Sequence, residues 1–254
     1  MKNNLIIVVL LLFFCQSVSI AQDSLKYHRL LILPFNPEMY LSDAEHDIIL
    51  QTNKAPVEYR AYFRRVLDLK IAAEIEQLIP CVNLVQDTSL TAKKDIERFY
   101  YQAGYQYKNP VGLKVSRPDE EETKEKSKQK SYSQQDAPKY LTTKGDSKYF
   151  ACDISDTSFF KNLAKRYDTD LILTINQFEI KTNYNSCMDI ANKIYKRELL
   201  IHYSLMDGKG KLLAGNFAMA FFPSNTNRPE DIVERTFPKL AEALRIQLKT
   251  LLKK

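Results

Sequence analysis

The chain has 254 residues, 44% hydrophobic and 27% charged, with a formal net charge of +6 at pH 7. That length suits one good-sized domain or two small ones. The positive excess is spread along the sequence, which argues against nucleic acid and favours solubility with weak contact to anionic surfaces. Only six glycines occur, so a glycine-rich phosphate cradle is excluded.

Met1–Asn4 carries Lys2, Leu5–Phe14 is an unbroken apolar run, and Ser19-Ile20-Ala21 precedes Gln22. A basic start, an apolar core and a small-residue exit predict a cleavable signal peptide over residues 1–21, with cleavage between Ala21 and Gln22. The run is too short for the ~20 residues that span a bilayer. Cys15 raises the alternative of a lipidated cysteine, but Phe14 stands before it where a small residue is needed. The expectation is therefore a periplasmic or secreted location for a mature chain without a transmembrane segment; an outer-membrane lipoprotein is the weaker alternative.

Leu30–Phe35 is a short apolar run stopped by Pro34 and Pro37, predicting a buried first strand. Ser42-Asp43-Ala44-Glu45 has capping-box spacing ahead of Ile48, Ile49 and Leu50. Tyr59, Phe63, Val66, Leu67, Ile71, Ile75 and Leu78 recur every three or four residues, predicting a helix over 56–78. A second strand is expected over Val82–Val85, then a helix capped by Thr88 or Ser89 and running to about Ala103.

From Ser116 to Tyr140 the chain has no Leu, Ile, Val, Phe or Met, but six acids and six bases. With nothing apolar to bury, such a stretch cannot offset the entropy of ordering. It predicts a solvated insertion at about 112–148, with a docking arm as the functional alternative. Beyond it, Asp156 or Thr157 caps a helix through Phe159, Phe160, Leu163 and Ala164. Asp170–Ile180, Leu199–Met206 and Lys211–Phe222 read as strands, the last two joined by Asp207-Gly208-Lys209-Gly210. A carboxyl-terminal helix starts at Pro229, restarts at Thr236 and Pro238, and carries Leu240, Leu244, Leu248 and Leu251. The expected fold is α/β: one domain over 22–254, a mixed β-sheet flanked by helices, interrupted by the charged insertion.

Three cysteines follow the cleavage site, so at most one internal pair forms. Cys152 and Cys187 are the candidate disulfide, while Cys81 reads as a small buried hydrophobe. His46, within Asp43-Ala44-Glu45-His46-Asp47, is the densest cluster of potential ligands, but helix capping accounts for Ser42 and Glu45. Asp153, Asp156, Asp168 and Asp170 form a candidate carboxylate group, and three of them flank expected element ends where Asp is common anyway. Phe99, Tyr100, Tyr101, Tyr105 and Tyr107 are core and rim residues or, alternatively, the lining of a ligand groove. No nucleophile elbow, zinc-protease helix or phosphate loop occurs. No catalytic residue, metal ligand or cofactor is expected.

The order of segments carries a resemblance. Leu33-Pro34-Phe35 leads into Leu41-Ser42-Asp43 and a long helix. Phe160–Asp170 then leads into Leu-Ile-Leu-Thr174, followed by Tyr203–Asp207, Gly210-Lys-Leu-Leu and a closing helix. This resembles the envelope domains shared by the TolB amino-terminal domain, the curli-export lipoproteins and the lipoprotein activators of penicillin-binding proteins. It covers about 30–85 and 159–252. Two features depart from the pattern: Tyr167-Asp168-Thr169 replaces the usual Gly before Ala-Asp, and no good lipidation motif is present. The resemblance implies a non-catalytic adaptor, or assembly or secretion accessory, that binds envelope proteins. The alternatives are an exported hydrolase using Asp153–Asp170 and a small-ligand binder.

Overall fold

The structure, a computed structural model, describes residues 26–112 and 148–252. The signal segment with Ala21 and Gln22 lies outside the described residues, as does the expected insertion except for its edges. A six-stranded mixed sheet forms the centre, built from β1 (Leu30–Leu33), β2 (Tyr40–Ser42), β3 (Cys81–Asn83), β6 (Leu171–Asp189), β7 (Ile194–Asp207) and β8 (Leu212–Pro223). Its order is β3-β1-β6-β7-β8, with β2 also on β6. β1, β2 and β3 are parallel to their neighbours, while β6, β7 and β8 are an antiparallel meander. The α/β class with a mixed sheet and flanking helices is as the sequence predicts.

Alternation along the strands decides what covers each face. Leu30 and Ile32 of β1 face one core, and Leu31 and Leu33 face the other. The first core is covered by α2 (Pro56–Ile75) and α5 (Pro229–Leu252). Tyr59, Phe63, Leu67, Ile71 and Ile75 are the buried stripe of α2, as the helical period requires. Ala214, Ala218 and Ala220 on β8 face this same core; short side chains there suit the close approach of a helix. On the opposite face, α3 (Leu90–Gln102) and α4 (Thr157–Tyr167) cover the β1 end of the sheet. A separate antiparallel pair, β4 (Gly104–Lys108) and β5 (Tyr149–Asp153), covers the β7–β8 end.

Several local details differ from the expectation. The capping box at Ser42 does not form. Ser42 Oγ accepts from Ala44 N–H at 3.1 Å, and α1 (Glu45–Thr52) begins without a side-chain cap. Glu45 is instead taken by Arg60 of α2, a charge-assisted contact that outweighs a local cap. Ser89 does cap α3, accepting from Ala92 N–H, and Asp156 caps α4, accepting from Ser158 N–H. Pro238 lies inside α5, which runs through it as one helix. The long strands also outrun their apolar cores: β6 extends past Ile180 to Asp189, and β7 starts at Ile194.

The candidate disulfide is corrected. Cys81, Cys152 and Cys187 are all free thiols. Cys152 is buried beside Ser204, which pairs with Thr174, whereas Cys187 pairs with Tyr195 thirteen positions farther along β6. At ~3.3 Å per residue that is a separation of roughly 40 Å, against the ~7 Å limit for a disulfide. Cys81 is half-buried against Ala72 and Glu76, not fully buried. Burial leads the causes that push its thiol up to about 12, with Glu76 adding to it.

Candidate functional site

Two concavities among the described residues differ in chemistry. The first is a groove of about 510 Å³ at the carboxyl end of β1, lined by residues including Phe35, Pro37, Tyr40, Val57, Arg60 and Arg64. Its position follows from topology. The chain leaves β1 toward α2 on one face and leaves β3 toward α3 on the other, and such divergence opens a crevice at the strand ends.

The floor of the groove is aromatic. Tyr40 stacks on Phe178 with ring centroids 5.3 Å apart, and Phe35 and Phe63 stack on Phe178 at 5.7 Å each. The Arg60 guanidinium lies over the Tyr40 ring at 5.0 Å while Glu45 takes its charge. Arg64 differs. Its Nε donates to the Phe35 carbonyl at 3.0 Å and its Nη2 to the Tyr100 hydroxyl, which in turn donates to Phe35 O at 3.0 Å. Those partners are neutral, and among the described residues no carboxylate oxygen lies within ion-pair distance of Arg64. At the mouth of the groove, Val57 is 72% exposed.

One turn beyond Arg64, Asp68 is fully buried and neither of its carboxylate oxygens has a hydrogen-bond partner. Asn83 Nδ2 donates to the Asp68 main-chain carbonyl instead, at 3.0 Å. Burial drives the Asp68 carboxyl up to about 7, against the pull of the Arg64 guanidinium.

The second concavity, of about 260 Å³, opens on the other face of the sheet between β6, β7, β8 and β4. Here β6 carries a bulge between Ile175 and Gln177. The bulge reverses the alternation: Ile175 and Phe178 both face the first core, so Asn176, Gln177 and Glu179 are buried on the other side. Side chains, not ladder bonds, dock β5 onto this polar surface. Asn176 Nδ2 donates to Phe150 O at 2.8 Å and to Ser204 Oγ at 2.9 Å, and Phe150 N–H donates to His202 Nδ1 at 2.9 Å. Lys181 Nζ lies 2.9 Å from Glu179 Oε1, and His202 Nε2 lies 3.7 Å from Oε2. Burial works to raise the Glu179 carboxyl, yet His202 and Lys181 beside it outweigh that and hold it below its ordinary value.

The residues singled out in the sequence are placed as follows. His46 is exposed on α1. Its neighbours have structural duties: Asp43 accepts from Thr182 N–H at 2.6 Å and from its hydroxyl at 2.9 Å, and Asp47 pairs with the buried Arg197. Asp153 pairs with Lys108 at 3.0 Å, and Asp156 caps α4. Asp168 ends α4 in a left-handed conformation with φ 51°, one of the few residue types that adopts it at low cost. Asp170 holds the main-chain N–H of His28 at 2.8 Å and of Arg29 at 3.1 Å. Only Asp168 and Asp170 border a common hollow, on the exposed face beside Lys165 and Lys209; Asp153 and Asp156 are not part of it.

The aromatic group is dispersed too. Phe99 is core, Tyr100 braces the first groove, and Tyr101 is 91% exposed. Tyr105 stacks on Phe150, and Tyr107 alone lines the second cavity. Sequence reasoning passed over Glu179, Lys181 and His202, whose only signal was polar residues inside an otherwise apolar strand. Among the described residues, no group of three or more His, Cys, Asp or Glu could hold a metal ion. No helix among them is long and apolar enough to cross a membrane. No protein-family model matches the chain, and no curated protein matches it.

Proposed function

We propose that this is an exported, non-catalytic adaptor of the cell envelope that acts by binding another protein, with the groove between β1, β2 and α2 as its contact surface. One observation carries the reading: the groove combines an aromatic floor, an exposed Val57 and a guanidinium, Arg64, whose bonds go only to neutral oxygens. That combination suits a partner segment presenting apolar side chains next to a carboxylate, because a desolvated bidentate pair with Arg adds both energy and orientation. The segment order that resembles envelope adaptor domains supports the same view. The structural contacts of Asp153, Asp156 and Asp170 support the non-catalytic reading over the hydrolase alternative.

A photo-crosslinking amino acid at position 57, in the native envelope, tests the proposal against the same group at Ile246, which is 54% exposed on α5. The expected result is a discrete adduct from position 57 only, abolished by Arg64→Glu but not by Asp153→Asn, with the crosslinked partner peptide acidic. Equal adducts at both positions, or an adduct indifferent to Arg64, would overturn it. Retained function in the Asp153, Asp156, Asp168 and Asp170 to Asn variants is expected, and loss in any one of them with unchanged stability would revive the hydrolase.

A further inference from the structure

The second cavity is built from groups that a docked protein segment would not need. His202 is 3% exposed and Glu179 5% exposed, and both line it. His202 Nδ1 accepts from Phe150 N–H, so in the neutral ring the proton sits on Nε2. That Nε2–H has no hydrogen-bond partner. It faces Glu179 Oε2 at 3.7 Å, beyond hydrogen-bond reach, while Oε1 is taken by Lys181.

A donor and an acceptor thus confront each other across a gap that one atom can bridge. The bridging atom must accept from Nε2–H and donate to Oε2. A carboxylate cannot donate, an ammonium cannot accept, and a metal ion cannot bind a nitrogen that carries the proton. A hydroxyl group does both. Lys148, Lys181, Tyr107 and Phe217 also line the cavity, the two aromatic rings centred 6.4 Å and 6.0 Å from the His202 ring. Two lysines against one glutamate leave an excess positive charge in the cavity. The aromatic faces suit the C–H surfaces of a ring. A volume of about 260 Å³ corresponds to roughly nine waters at ~30 Å³ each, the size of one monosaccharide.

We propose that this cavity is a binding site for a small hydroxylated anion, a sugar acid or sugar phosphate. One ligand hydroxyl bridges His202 Nε2 and Glu179 Oε2, and the anionic group rests on Lys148 and Lys181. The site lies on the opposite face of the sheet from the adaptor groove, so it stands or falls independently of that reading.

Isothermal titration calorimetry of the purified chain with glucuronate, glucose 6-phosphate, glucose and inorganic phosphate tests the assignment. The expected result is that at least one of the two sugar anions binds about tenfold or more tightly than both glucose and phosphate. Lys148→Met, at an exposed position, is expected to weaken that binding about tenfold while leaving the melting temperature unchanged. Lys181→Met provides a second variant with the same expectation for binding. The relative affinity of the two anions identifies the source, carboxylate or phosphate. No detectable heat from either sugar anion at millimolar concentration would sink the proposal. So would phosphate binding as tightly as the sugar anions, or binding indifferent to both lysine substitutions.

Discussion

The two faces of the sheet are covered by different physics. Under α2 and α5, apolar side chains interlock with five aromatic rings at the centre: Phe35, Tyr40, Phe63, Phe178 and Phe237. Under β4 and β5, strands β6 and β7 present Thr174, Asn176, Ser204 and His202, and directional bonds hold the cover in place. The first arrangement tolerates sliding but not voids, since its attraction is non-directional and depends on contact. The second fixes β5 in register, because the Phe150 N–H and carbonyl must meet His202 and Asn176 at set positions. A groove that accepts varied apolar anchors belongs on the first face, and a cavity that discriminates by hydrogen bonding belongs on the second.

The comparison is broken most severely by opening a void in the aromatic cluster. Phe63→Ala is expected to lower the unfolding free energy by ~3–5 kcal/mol in urea titrations. A loss smaller than that of a polar-face variant would contradict the assignment of the main core.

Asp68 sharpens it, as a lone carboxyl buried on α2. Its carboxyl has an ordinary value of 3.8 and a folded value of about 7. The unfolded chain therefore releases this proton first as pH rises, and Asp68 erodes stability between about pH 4 and 7. Asp68→Asn should stabilise the protein by on the order of 2–4 kcal/mol at pH 8, with the gain vanishing near pH 4. A gain that does not depend on pH would show that ionisation is not its cause.

On the polar face, Asn176→Ala leaves Phe150 O without its donor and should cost ~1–3 kcal/mol. Gly215→Ala belongs to the same class, because a Cβ there would meet the Tyr149 ring at 2.1 Å. Overpacking of that kind costs ~1–3 kcal/mol, and hydrogen exchange should show β4–β5 loosening before the main sheet.

The smallest effect is expected on the β6–β7 arm, which runs beyond the Lys196–Pro223 pair at the end of β8. Tyr184, Met188 and Ile190 are all exposed there. Ile190→Ser should change stability by no more than ~0.5 kcal/mol; a larger loss would mean the arm packs against something in solution.

Much of the fold is legible in local pattern. The α2 stripe, the run Leu30–Leu33, the Ser89 and Asp156 caps and the Asp207–Gly210 turn each follow from a few neighbouring residues. β2 was missed because a three-residue strand has no period to read, and it exists only through its parallel pairing with Phe178–Ile180. The β6–β7 arm was missed because its polar, exposed residues carry no burial pattern. The disulfide expectation failed for a similar reason: spacing along the chain says nothing about the distance between Cys152, on β5 beside Ser204, and Cys187, far along the β6–β7 hairpin.

The sequence by itself determined the class of the fold, the faces of its helices and the place of several caps, since propensity, period and capping act within one or two turns. Tertiary structure decided both candidate sites. The groove exists because β1 and β3 send their chains to opposite faces, and the cavity because one bulge near Asn176 turns Glu179 to the same side as His202. A one-residue change of register moves every later side chain to the other face. The Asn176-Gln177 pair between Ile175 and Phe178 is a local trace of that shift, but the register itself is set by the partner strand and by what each face must bury.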